Sequence, residues 1–167
     1  MRCNCQEFET KYPTCTFCND GQKITVQENK RKYIINNLSD QRICRIKIDG
    51  CVIDAQNQRK CDYLIIVCKT EAVANDNNID VAEKMYFIEL KGQDLISAVE
   101  QLTQTIEYFK PQITGTVFAR AVLSRVSKFN APKSIENDSR VKKLKSLLKK
   151  YGGNFEYSSV QFEKDKI

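Results

Sequence analysis

Residues 84–109 read KMYFIELKGQDLISAVEQLTQTIEYF, and the hydrophobic period changes partway through them. Met85 to Leu90 read as a strand, whose side chains alternate between two faces. From Leu95 the apolar residues Leu95, Val99, Leu102, Ile106 and Phe109 recur at spacings of four, three, four and three, which makes one face of a helix. Gly92 separates the two patterns, Asp94 is placed to cap the helix, and Lys110-Pro111 stops it.

Upstream, residues 61–69 (CDYLIIVCK) form a nearly unbroken apolar run of the kind a central strand shows, and the polar stretch 70–84 reads as a long hairpin excursion. Residues 32–36 and 42–48 (RICRIKI) carry strand signals between Asn-Asn, Ser-Asp and Asp-Gly turns. Downstream, residues 116–126 (TVFARAVLSRV) read as a buried strand and 127–137 as a loop. Asp138 or Ser139 then caps a second helix with Val141, Leu144, Leu147, Leu148 and Tyr151 on its core side and Gly152 past its end. Residues 154–162 alternate as a last strand. The order predicts an α/β fold with a mixed, largely antiparallel central sheet flanked by helices. A small Cys-rich segment occupies residues 1–22, and the body is residues 23–167.

Composition bounds the chemistry. The chain has 167 residues, room for one ordinary domain, and 41% hydrophobic with 29% charged residues marks a globular protein. It contains no histidine, so Ser-His-Asp and Cys-His nucleophile systems and His-based metal sites are excluded. A net charge of +6 favours phosphate-bearing partners or, equally, serves solubility. No stretch approaches the ~20 apolar residues that span a bilayer, so no membrane role is expected. Residues 1–15 lack the apolar core of a signal peptide, so the protein reads as cytoplasmic, with its eight cysteines reduced or metal-bound.

Glu89 and Lys91 are two apart on one strand and project together, while Tyr86, Ile88 and Leu90 point the other way. Asp62 heads the preceding apolar run, and a hairpin between the two strands would bring it beside Glu89. Two carboxylates with one carbonyl, that of Leu90, make an all-oxygen site for Mg²⁺ or Mn²⁺. A lysine on the same face can then handle a water proton or charge on phosphorus. The bland alternative is a surface ion pair of Glu89 with Lys91 beside a capping Asp62.

The pattern of Asp62, then Glu89-x-Lys91, with a helix directly after, resembles the PD-(D/E)xK nuclease superfamily over about residues 40–152. The resemblance implies a restriction-endonuclease-like fold, with Asp62 and Glu89 as metal ligands and Lys91 as the catalytic lysine. Gln104-Thr105-Ile106-Glu107-Tyr108 is similar to the Q-x-x-x-Y form of the RecB-type branch. Gln101, Gln104 and Tyr108, with Ser97, then form a polar helix stripe facing the metal site or a DNA phosphate, or else a solvated face. The chain also looks like small prokaryotic nuclease-like proteins, some associated with defence against phage. Cys61 stands where the family has proline, and the first-motif acid falls on Glu28 or Asp49, the latter also a natural turn former in Asp-Gly.

Cys3-x-Cys5 and Cys15-x-x-Cys18 suggest a structural Zn²⁺ knuckle, or else reduced surface cysteines. Cys44, Cys51, Cys61 and Cys68 read as small core residues. Asp76-x-Asn78-x-Asp80 lacks the glycine and the terminal glutamate of a calcium loop. The second helix carries Arg140, Lys142, Lys143, Lys145, Lys149 and Lys150, either a wet face or a salt-sensitive grip on a nucleic-acid backbone. Arg120 and Arg125 either contact phosphates or close the ends of their strand. The expectation is therefore a Mg²⁺-dependent deoxyribonuclease, with Asp62 and Glu89 on the metal, Lys91 activating water, and Gln101, Gln104 and Tyr108 in support. The alternatives are an inactive nuclease-fold subunit that binds nucleic acid or a protein partner of a defence system, or a zinc-stapled interaction module. A homodimer is compatible with each.

Overall fold

The computed structural model of the chain describes residues 4–68, 83–90, 92, 94–125 and 135–167. Lys91, Cys3, the Asp76-x-Asn78-x-Asp80 pattern and most of the expected excursion 70–84 and loop 127–137 lie outside them. The fold is mixed α/β. Helix α1 (Asn4–Lys11) is followed by β1 (Thr16–Asn19), β2 (Lys23–Glu28), β3 (Arg31–Asn36), β4 (Ile43–Lys47), β5 (Tyr63–Val67) and β6 (Lys84–Glu89). Helix α2 (Leu95–Tyr108), β7 (Thr116–Leu123), helix α3 (Ser139–Lys150), β8 (Phe155–Ser159) and β9 (Gln161–Phe162) complete the described elements.

Six strands form the main sheet in the order β1-β4-β5-β6-β7-β8. The pairings from β1 to β6 are antiparallel, and β6-β7 and β7-β8 are parallel, so the sheet is largely antiparallel. Each parallel pairing is bridged by a helix, α2 or α3, because parallel neighbours need a crossover long enough to return the chain. Asp94 and Asp138 cap those helices as their sequences require, Asp94 accepting the Ile96 and Ser97 N–H groups and Asp138 that of Arg140.

One sheet face packs on the helices. Leu64, Ile66, Met85, Phe87, Ala119 and Ala121 meet Leu95, Val99, Leu102 and Ile106 of α2 and Val141, Leu144 and Leu148 of α3. The opposite face, with Ile65, Val67, Tyr86, Ile88 and Val122, is covered by a three-stranded sheet, β2-β3-β9, through Ile24, Val26, Tyr33, Ile35 and Phe162. The molecule thus has three layers, helices, large sheet and small sheet, with a core on either side of the large sheet. The β2-β3 hairpin turns on Asn29 and Lys30, both at positive φ, as a tight two-residue hairpin demands. The segment around Glu28, ambiguous in sequence, is therefore strand and turn.

Residues 4–19 are part of the main sheet and its core: β1 is an edge strand paired with β4, and Cys5, Phe8 and Cys15 are buried among the helix-face residues. Two glycines are demanded by close approach. A Cβ at Gly115 would lie 1.8 Å from the Glu83 carbonyl oxygen, and one at Gly153 1.7 Å from that of Val117.

Arg120 is not a phosphate contact. It is 2% exposed. Its Nε and Nη2 donate to Asp165 at 2.7 and 2.9 Å, and its guanidinium lies over the rings of Phe118, Phe162 and Tyr86 at 5.2, 5.5 and 5.9 Å. Tyr33 donates its hydroxyl to the same carboxylate at 2.7 Å, and burial together with Asp165 pushes the Tyr33 pKa upward. Removing one partner of such a pair leaves a buried charge uncompensated. Asp165→Ala should lower unfolding free energy by about 3–5 kcal/mol in urea titrations, against a few tenths for removal of the exposed ion pair by Lys23→Ala.

Candidate functional site

Tyr63 pairs with Ile88, and the Asp62 N–H also donates to the Ile88 carbonyl at 3.1 Å, so Asp62 and Tyr63 both stand against Ile88, a bulge next to Glu89 at the end of the β5–β6 ladder. Alternation along β6 places Glu89 with Phe87 and Met85 on the face that packs against α2, and Asp62 sits just before β5. The two acids thus lie at the same end of β5 and β6, both near the buried Cys61 thiol, whose pKa each raises. Asp62 is 2% exposed and Glu89 0%. Asp62 Oδ2 accepts the Leu90 N–H at 2.8 Å, and the Asp62 carbonyl accepts the Ile48 N–H at 2.9 Å, which fixes this residue between two strands.

The Leu90 carbonyl, expected as a third oxygen ligand, accepts from Arg31 Nη1 at 3.0 Å. Arg31 pairs in register with Glu28, so Glu28 stands at the hairpin end that reaches towards the site, while Asp49 lies on the turn after β4 and pairs with Lys60 at 3.8 Å. Gly50 takes φ +71° in that turn, as the Asp-Gly sequence anticipated.

Helix α2 supports this strand entry, though not with all the residues expected. Thr105 Oγ1 accepts the Cys61 N–H at 2.8 Å and donates to the Gln101 carbonyl at 2.7 Å. Gln101 Nε2 donates to the Lys60 carbonyl at 3.0 Å, with Ser97 Oγ 3.5 Å from Gln101 Oε1. Ser97, Gln101 and Thr105 are thus four apart and form the stripe that faces the strands. Ser97 and Gln101 edge a polar cleft of about 450 Å³ lined also by Asp49, Gln56, Gln58, Arg59 and Lys60. Gln104 is exposed, and Tyr108 lines a different pocket with Glu7, Phe8, Lys11 and Tyr12 of the N-terminal region, so the structure does not bring these two to the carboxylates. Thr105 falls outside the Q-x-x-x-Y pair of Gln104 and Tyr108, and its signal in the sequence is the four-residue spacing from Ser97 and Gln101.

Cys61 is wholly buried between these groups. Burial pushes its thiol well above the ordinary range, and the nearby Glu89 and Asp62 carboxylates push it the same way. It stays protonated near neutrality and is unsuited to nucleophilic work. Beyond Tyr63, a groove of about 370 Å³ is lined by Phe17, Thr25, Gln27, Arg45, Lys47 and Tyr63. Phe17 is 59% exposed, with the Arg45 guanidinium 5.5 Å from its ring centre.

The expected zinc knuckle is not formed. Cys15 is bonded to Cys51 and Cys18 to Cys44, so the two cysteines of the C-x-x-C pair point to different partners. The cause is β1: its antiparallel register sets Cys18 directly opposite Cys44. Cys44 and Cys51 are therefore not simple core fillers, and the expectation of reduced cysteines fails for these four. The sulfurs of Cys5, Cys44 and Cys68, all buried, lie within 4.8 Å of one another, a grouping that could hold a metal ion.

No helix among the described residues is long and apolar enough to cross a membrane. No family model matches the chain, and neither the curated proteins nor the solved structures contain a match.

Thr105 joins helix to strand by accepting the buried Cys61 N–H, while its own hydroxyl donates within α2 to the Gln101 carbonyl. Thr105→Val keeps the shape and deletes the acceptor, which should cost about 1–3 kcal/mol by denaturant unfolding, whereas Gln104→Ala on the exposed face should change stability by under about 0.5 kcal/mol.

Proposed function

We propose that the protein is a divalent-metal-dependent nuclease that hydrolyses phosphodiester bonds of DNA, built on a restriction-endonuclease-like fold. The observation that carries this reading is the burial of two acids, Asp62 and Glu89, at the same end of β5 and β6, where both act on the Cys61 thiol. Two buried carboxylates make a hard oxygen donor set that fits Mg²⁺ or Mn²⁺. Such an ion supplies Lewis acidity towards a phosphodiester and its attacking water. The run of antiparallel hairpin, helix α2 and parallel β7 agrees with the order the superfamily uses.

In this reading Asp62 and Glu89 hold the metal, and Lys91, two residues along from Glu89, is assigned the proton of the attacking water. Thr105 and Gln101 act as positioning residues that clamp residues 60–61 and so aim Asp62. The exposed lysines of α3 and the groove with Phe17, Arg45 and Lys47 offer charge and a stacking surface to the nucleic acid. Prokaryotic defence is the setting that the resemblance suggests. Zinc takes no part in this chemistry.

A second reading, a nuclease-fold subunit that binds nucleic acid or a protein without cutting, draws support from Arg31, which already occupies the Leu90 carbonyl. Plasmid and single-stranded DNA incubated with Mg²⁺ or Mn²⁺ separate the two. Cleavage should be abolished by EDTA and fall at least about a hundredfold in Asp62→Asn and in Glu89→Gln, with circular dichroism unchanged. Binding without cleavage under either metal supports the second reading, and cleavage undiminished in both variants removes the first.

A further inference from the structure

Four sulfurs converge beneath α1 at the β1 edge of the large sheet, away from the two carboxylates. Cys5 Sγ on α1 lies 2.7 Å from Cys68 Sγ at the end of β5. Cys44 Sγ on β4 is within 4.8 Å of both, and Cys18 Sγ on β1 is bonded to Cys44. Cys5 and Cys44 are fully buried, and Cys68 nearly so. Cys68 is itself disulfide-bonded. We propose that in the reduced chain Cys5, Cys18, Cys44 and Cys68 form a four-thiolate site for a structural zinc ion.

The donor set selects the metal. Four sulfurs with no imidazole or carboxylate among them are soft, and a closed tetrahedral S₄ shell is characteristic of structural zinc. With Zn–S bonds of about 2.3 Å, the ligands of such a site stand about 3.8 Å apart. The sulfurs here bracket that spacing, from a bonded pair to a trio spread over at most 4.8 Å. Filling the site asks for the Cys18 and Cys44 side chains to part by about 2 Å, without rearranging the strands that carry them.

The chemistry balances with a thiol reductant of the glutathione class. Each protein disulfide consumes two reductant thiols, yielding two cysteine thiols and one reductant disulfide. Zinc binding then releases four protons and leaves a centre of net charge −2. Arg42 is the nearby cation: its carbonyl accepts the Cys68 N–H at 2.9 Å, and its charge lowers the Cys5 pKa, against burial and Glu83, which raise it. The ion would tie α1 and the β1 edge to the sheet in a reducing compartment, whereas in the oxidised chain Cys18–Cys44 joins β1 to β4 alone. Cys15–Cys51 lies outside the cluster and Cys61 belongs to the carboxylate site, so neither is a ligand.

The test is elemental analysis of the full chain purified under a thiol reductant and then exposed to ZnCl₂ and desalted, alongside Cys5→Ser, Cys68→Ser, Cys51→Ser and Cys61→Ser. Wild type, Cys51→Ser and Cys61→Ser should each hold about one zinc per chain, and Cys5→Ser and Cys68→Ser at least about tenfold less. Cobalt(II) added to the reduced, metal-free wild type should give thiolate charge-transfer and tetrahedral ligand-field bands, a readout that needs no variant to fold. Wild type without zinc, iron with sulfide in place of zinc, full zinc in both ligand variants, or cobalt without thiolate bands would each overturn the proposal. None of these readouts depends on DNA cleavage, so the two proposals stand or fall separately.

Discussion

Two acidic side chains, Asp62 and Glu89, are buried at one end of β5 and β6, strands otherwise made mostly of Ile, Leu, Val, Met and aromatic residues. Carboxylates cost several kcal/mol to remove from water, so a fold keeps them there only if the surrounding backbone is organised around their charge. Much of the local geometry answers to that demand. The Leu90 N–H is turned to Asp62, β5 begins at the point where β4 and β6 can both bond to the Asp62 peptide unit, and α2 presents hydroxyl and amide groups instead of another apolar turn.

The two outer layers do different work. The helices close the core on the carboxylate side and supply the polar edge of the cleft. The small sheet closes the opposite side and is locked to the large one by Arg120, whose charge is satisfied by Asp165 and by three aromatic faces. An arginine in the middle of an apolar strand is thus a fastener between layers, which explains how a buried cation can coexist with a tightly packed sheet.

Much of the architecture was legible in the sequence because its signals are local. The change of period at Gly92, the caps Asp94 and Asp138 and the breaker Pro111 all act within a few residues of where they stand. That Asp62 and Glu89 fall at the same end of two adjacent strands was also legible, since an antiparallel pairing of the two apolar runs suffices for it. What escaped was set by distant partners. β1 is short and made a strand by β4, β2 is specified by β3 and the turn at Asn29-Lys30, and the cysteine pairings follow from a register that no spacing rule reveals. Arg120 looked like a surface or strand-end cation because its counter-charge lies 45 residues away. Thr105 was hidden by a neighbouring pattern of more familiar form.

The small sheet is assembled from both ends of the described chain: β2 and β3 wait for β9 and for Asp165, which meets Tyr33 at a sequence separation of 132. On a ribosome, which releases residues in order, the hairpin carrying Ile24, Val26, Tyr33 and Ile35 emerges early and its final cover arrives late. The apolar side of that hairpin is therefore a temporary hazard during synthesis, and the rate at which the layer seals is governed by loop closure over nearly the full contour of the polypeptide.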